Sequence, residues 1–389
     1  MKIDRKFLFE LLSQPTAPYR ESFVMQVIEE QLRRHRVPFF KDPVGNRIVG
    51  VSNRKEYLAR VGGNRKVPVK IFMAHTDHPG FHGMKWERKT RNGHIATNLL
   101  SIHWHGGSPK SHLEGAPVWL AANNGFRGEG ILSAAKLNKR GTAITSGMVK
   151  TQGDFPPIEA GELFGGFKFR KPIWQDGELL YTKAADDLIG CFAIVSLAIQ
   201  RKKDCNFLGL LTRAEEVGFI GAIGHFELGW LSKARGDVLC ISLETSRTLP
   251  GAEIGKGPVV RLGDRMTIFD PAGLDLLWGV AKKGLRQFQR RIMDGGACEA
   301  SASTAYGIRS IGISVPLGNY HNQSLQGGPD SRGPDGPAPE YVHIDDLKGM
   351  MTLCHALAEA KFSFDDPWRD RRRAFASEFR NAQKLLELD

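Results

Sequence analysis

The sequence predicts an α/β sandwich: a central, mainly parallel sheet between helices, interrupted by an inserted β-rich stretch. Three observations carry this expectation. Short apolar runs at 67–74, 207–212, 238–243 and 311–316 read as strands covered on both faces, because a half-exposed strand would alternate. Residues 186–202 are apolar on nearly every side of a helix (Leu188, Ile189, Phe192, Val195, Ile199), as expected of one packed on such a sheet. Alternation of strands with helices implies parallel pairing. Between the first of these strands and that helix, residues 83–176 change character: they hold fourteen of the 44 glycines and short β-type runs at 116–121 and 128–132.

In chain order, residues 4–36 have helical spacing, with Phe7, Leu8, Leu11 and Leu12, then Val24, Val27, Ile28 and Leu32, on apolar faces. The host domain is expected to be discontinuous, built from 1–82 and 177–365 around an insert at 83–176. A helical extension is expected over 366–389; its Arg371–Arg373 triplet reads as a solvated face. Residues 324–339 form a Gly/Pro-rich loop without periodicity, which reads as an exposed insertion, with a lid over the site as the alternative.

Composition removes several classes of function. At 389 residues, 41% hydrophobic and 25% charged, the chain is neither disordered nor fibrous. Its longest mostly apolar stretch, 188–199, is far short of the ~20 residues of a membrane-spanning helix. The start of the chain lacks the pattern of a signal peptide. Five scattered cysteines with no CxxC pair argue against disulfides and thiolate zinc sites and for a reduced, cytoplasmic setting. The formal charge of +12 suggests nucleic acid, but it divides into +13 before residue 177 and −1 after it. No basic run is interleaved with aromatics, so neither nucleic acid nor a membrane is expected as a partner.

Five short segments place histidines and carboxylates where predicted strands end or the buried helix begins: His75-Thr76-Asp77, Asp186-Asp187, Glu215-Glu216, Glu244 and Asn319-Tyr320-His321. Open α/β sheets build their sites at the carboxyl ends of strands, so distant segments can converge there. Each alone is weak; Asp186-Asp187, for instance, suits a helix cap. Adjacent Glu215 and Glu216 repel unless cations neutralise them or their pKa values separate. Together, two histidines, one shared carboxylate and two terminal carboxylates form the donor set of a dinuclear zinc site. Two ions at such a site generate a hydroxide near neutral pH, and one further carboxylate then moves the proton.

This ordered pattern, H-x-D, D-D, E-E, D/E, H, resembles the co-catalytic zinc aminopeptidases of the glutamyl-aminopeptidase and tetrahedral (TET) aminopeptidase family, within the wider zinc exopeptidase clan. Asp42-Pro43-Val44-Gly45-Asn46 resembles the family's D-x-x-G-N turn, and Gly255-Lys256-Gly257-Pro258 its G-K-G-P segment. Gly295-Gly296 ahead of the last strand fits as well. The resemblance implies a three-layer α/β/α sandwich with a barrel-like insert used for self-association. It also implies two divalent ions, zinc first, with cobalt or manganese as alternatives. His75 would bind one ion and Asp77 orient it; Asp186 would bridge both; Glu216, Glu244 and His321 would complete the ligands. Glu215 would be the general base. The activity implied is removal of N-terminal residues from short peptides by a metal-bound hydroxide. Asp187 is left as a helix cap.

Three departures bear on substrate. His78 follows the H-x-D motif where the family has an acidic residue, Glu244 replaces the usual Asp, and Cys298-Glu299 stands where Thr-Asp is common. A same-site amidohydrolase, deacylase or carboxypeptidase-type enzyme is therefore the alternative, and an inactive metal-binding assembly protein a second one. The remaining histidines (His78, His82, His103, His105, His112) read as structural or surface groups. Gly251–Gly257 lacks the spacing and Ser/Thr of a phosphate-binding loop, and no G-x-S-x-G elbow occurs.

Overall fold

A computed structural model of the chain describes residues 3–62, 67–87, 89–91, 94–96, 98–152, 158–201, 206–232, 238–362 and 368–386. An eight-stranded sheet runs through it in the order Phe39–Lys41, Arg47–Val49, Phe207–Thr212, Val69–His75, Val238–Arg247, Arg309–Leu317, Val259–Asp264, Gln289–Met293. The four central strands, from Phe207–Thr212 to Arg309–Leu317, are mutually parallel. The runs at 67–74, 207–212 and 238–243 each feed two cores because side chains alternate across the sheet, whereas 311–316 sends Ile311, Ile313 and Val315 into the first core only. Phe72 and Ala74 pack with Leu239, Ile241 and Leu243 on one face, whereas Val69, Ile71 and Met73 pack with Val238 and Cys240 on the other.

Helices cover both faces and make the three layers. Arg5–Ser13, Ser22–Arg34, Leu188–Gln200, Pro271–Gly284 and Ile344–Glu359 close the first core. Arg54–Val61, Ile220–Glu227 and Glu299–Ala305 close the second. The apolar helix begins at Leu188, two residues after the expected start. Asp187 caps it by accepting from Gly190 N at 3.1 Å, and all residues from Leu188 to Ala198 are buried. The helical stretch expected over 4–36 is two helices, because Pro15 and Pro18 fall in the 14–21 break between them.

The β-rich stretch closes into a six-stranded antiparallel barrel: Ile144–Gln152, Leu99–His105, Gly80–Trp86, Leu163–Phe167, Ala116–Ala122, Arg127–Leu137. Its interior is filled by Phe81, Leu100, Ile102, Trp104, Val118, Leu120, Leu132 and Phe167. The barrel starts at Gly80, three residues before the composition changes, and ends at Phe167. Strands Ile173–Asp176, Leu179–Thr182 and Glu340–His343 form a separate small sheet. The 324–339 loop is fastened to the barrel side: Asp330 takes hydrogen bonds from Arg170 N and Nε at 2.7 Å, and Arg332 Nη2 donates to Glu114 O at 3.2 Å. The terminal helix, Arg369–Leu386, exposes Phe375 and Phe379 and forms an ion pair between Arg371 and Asp275. Among the described residues no helix is long and apolar enough to cross a membrane.

Candidate active site

The parallel strands deliver the five segments to one place. His75 ends its strand, and Glu215-Glu216 follow strand Phe207–Thr212 through Ala214, whose φ of 51° turns the chain back. Glu244 lies within strand Val238–Arg247. His321 sits just past strand Arg309–Leu317 in a turn where Asn319, His321 and Asn322 all have φ between 53° and 57°. Left-handed backbone at non-glycine residues costs about 1 kcal/mol or more each and persists only where surroundings enforce it.

Ligand atoms of His75, Asp186 and Glu216 lie within 4.8 Å of one another. His75 Nε2 is 3.4 Å from Asp186 Oδ1 and 3.9 Å from Glu215 Oε2. His321 Nε2 is 3.1 Å from Glu216 Oε2 and 3.8 Å from Asp186 Oδ2. Asp186 thus stands between the two histidines. Glu244 lies outside that three-residue group: it lines a small cavity of ≈ 90 Å³ with Asp186 and Tyr320, and its Oε1 accepts from Ser242 Oγ at 2.9 Å.

Asp77 has a larger job than orienting His75. His75 Nδ1 is 3.2 Å from the Asp77 carbonyl and 3.6 Å from Oδ1. The two carboxylate oxygens accept the backbone N–H groups of Glu215 (2.9 Å) and Glu216 (3.1 Å). One fully buried side chain therefore registers the His75 strand against the paired glutamates.

The electrostatics fit a cation. Burial, then neighbouring carboxylates, push Glu215 and Glu216 well above the usual carboxylate range, with His75 opposing. Burial alone would depress His75, but Glu215, Asp186 and Asp77 hold it well above an ordinary histidine. Asp186 Oδ1, Glu216 Oε1 and His321 Nε2 are buried without a hydrogen-bond partner among the described residues. Buried polar atoms are rarely left so, and a positive ion offered imidazole and carboxylate donors would satisfy all three. The donor set suits a divalent metal.

One carboxylate here escaped sequence reasoning. Glu340 is fully buried; its Oε2 accepts from Ala185 N (2.7 Å) and Asp186 N (3.2 Å), and its Oε1 from His321 N (2.9 Å). It ties together the backbones of Asp186 and His321 from the start of strand Glu340–His343. Burial and Asp186 push it up to about 8. His78, read as structural, is buried between Asp186 O (2.8 Å) and Asn322 Oδ1 (3.2 Å), and burial lowers it to about 4. Nothing in the spacing marks Glu340, which follows an irregular loop as a single carboxylate.

Fold and site define an α/β sandwich with an antiparallel barrel and a buried His/Asp/Glu cluster able to hold metal. Residues 160–326 match the family model described as M42 glutamyl aminopeptidase, and that segment contains Asp186, Glu215, Glu216, Glu244 and His321. The chain is thus similar to that family, as its motifs imply. Among solved structures, aminopeptidase APDkam598 from the archaeon Desulfurococcus kamchatkensis shares the fold with a TM-score of 0.70 at 18% identity, covering 92% of this chain and 94% of that one. A TET aminopeptidase from a marine sediment Thaumarchaeota archaeon gives 0.70 at 18%, with 93% and 98% covered. The Pyrococcus horikoshii TET1 peptidase, which can assemble into a tetrahedron or a large octahedral shell, gives 0.66 at 19%, with 91% and 98% covered. No curated protein sequence matches the chain significantly.

Proposed function

We propose that the protein is a dinuclear metal-dependent aminopeptidase that releases N-terminal residues from short peptides. The observation that carries the reading is the convergence of His75, Asp186, Glu216 and His321 beside Glu215, with three buried ligand atoms that have no hydrogen-bond partner among the described residues. His75, Asp186 and Glu244 would hold one divalent ion, and Asp186, Glu216 and His321 the other; zinc suits these donors best. Such a pair supplies an acidified water and stabilises charge developing on the scissile carbonyl oxygen. Glu215, held by Asp77 through its backbone, accepts the proton of the attacking water and passes it to the leaving amine.

Substrate choice follows from the cavity beside Glu244. Arg261 is 2% exposed there, Arg247 lines the same cavity, and Arg261 Nε has no hydrogen-bond partner among the described residues. Its Nη1 lies 3.9 Å from Glu244 Oε2, too far for a good hydrogen bond. This floor favours an acidic N-terminal side chain, whose carboxylate would take the spare guanidinium donors. The barrel, with its attached loop, is the proposed surface for self-association, and the five scattered cysteines support a cytoplasmic setting.

The test is Glu215→Gln. It is expected to retain bound metal and to lose about 10²–10⁴-fold in turnover. Substantial turnover in a metal-loaded Glu215→Gln protein would mean that another group moves the proton.

A further inference from the structure

A second cavity lies away from the candidate active site, on the seam between the barrel and the first helix. Its volume is ≈ 450 Å³, within the range of small-molecule sites. Five cations line it (Arg127, Lys168, Arg170, Lys171 and Lys183) against the single carboxylate of Glu129. Lys168 is paired with Glu129, and Arg170 with Asp330. Arg127, Lys171 and Lys183 form no ion pair among the described residues, although the buried Glu340 carboxylate acts on Lys183 and partly opposes the positive field. Lys183 is only 6% exposed; its Nζ donates to the Gln14 carbonyl and stands 5.5 Å from the Trp119 ring. The Arg127 guanidinium stacks 3.9 Å over Phe23, and its Nη1 donates to Phe126 O at 3.0 Å. Burying a lysine beside an arginine is unfavourable, and an anion in the cavity would relieve it. Burial and then Arg127 pull Lys183 down to about 7, consistent with that positive field.

We propose that this cavity is a binding site for a nucleotide-sized anion that joins a phosphate to a planar ring, with the phosphate on Lys183 and Arg127 and the ring against Trp119. Cations give the phosphate charge-assisted hydrogen bonds, and the aromatic wall gives the ring a stacking surface. This site is separate from Gly251–Gly257 and from the peptidase centre. Part of the positive excess in the first half of the chain thereby gains a location and a use.

Calorimetric titration of the full chain with AMP, inorganic phosphate and adenosine tests it. AMP is expected to saturate one site per chain, with phosphate and adenosine each at least about tenfold weaker. Arg127→Gln, on the cavity rim, is expected to weaken AMP about tenfold. Lys183→Met should weaken it further and abolish proton uptake on binding above pH 7. No saturable AMP binding, or AMP affinity unchanged in Arg127→Gln, would overturn the proposal. Phosphate binding as tightly as AMP would overturn the assignment of the ring to Trp119.

Discussion

Asp77→Asn separates a carboxylate that merely faces His75 from one that registers two glutamates. In the wild type, Oδ1 and Oδ2 each accept a buried backbone N–H, from Glu215 at 2.9 Å and Glu216 at 3.1 Å. Asparagine has the same shape but one acceptor oxygen, so one of those N–H groups must face an NH₂. A buried donor left unsatisfied costs ~1–3 kcal/mol, and Asp77 is fully buried, so little water can compensate. Asp77→Ala would leave both donors unsatisfied and add a cavity, so its loss should be roughly double. The displaced glutamates should also lower metal affinity or turnover about 10–100-fold, the usual effect of losing a group that orients ligands. Urea unfolding gives the stability of both variants, and metal content with peptide hydrolysis gives the rest. Asp77→Asn with wild-type stability and unchanged metal binding would refute the idea that this carboxylate holds Glu215 and Glu216.

Three further outcomes follow from particular contacts. A Cβ at Gly107 would fall 1.8 Å from His321 Nδ1, so Gly107→Ala is expected to displace His321 and cost one of the two ions, read by metal analysis of the purified variant. Phe192 is fully buried with its ring 5.3 Å from Phe7; Phe192→Ala should cost ~3–5 kcal/mol in denaturant unfolding with metal stoichiometry preserved. Burial, then His105, depress His82 to about 4, below the unfolded value of roughly 6.5. In that window the unfolded chain binds the extra proton, so stability is lost as pH falls from about 6.5 toward 4. His82→Gln should flatten that slope, measured by unfolding free energy against pH.

The sheet was legible because its central strands are covered on both faces and so read as unbroken apolar runs. The helix after Asp186 was legible for the same reason. The break at residues 14–21 was marked by Pro15 and Pro18, but two amphipathic helices in tandem have the same spacing as one. The barrel showed only as a change of composition, because most of its strands hold no continuous apolar run and they carry many glycines; Gly80 fell outside that change. The candidate ligands were readable because each lies at or near the carboxyl end of a strand or the start of the buried helix, although Glu244 proves to lie inside its strand. Glu340 and Arg261 were not, since each acts through contacts made only in the fold: Glu340 across 154 residues to Asp186, Arg261 by facing the cavity beside Glu244.

The most direct test of the central claim is metal content measured together with hydrolysis of an aminoacyl-arylamide panel that includes N-acetylated members. Two divalent ions per chain are expected, with loss of activity on chelation and recovery on adding zinc. Only free-amine substrates should be cleaved, glutamyl and aspartyl fastest. Full activity in metal-free protein, or hydrolysis of N-acetylated substrates as fast as free ones, would contradict a dinuclear aminopeptidase.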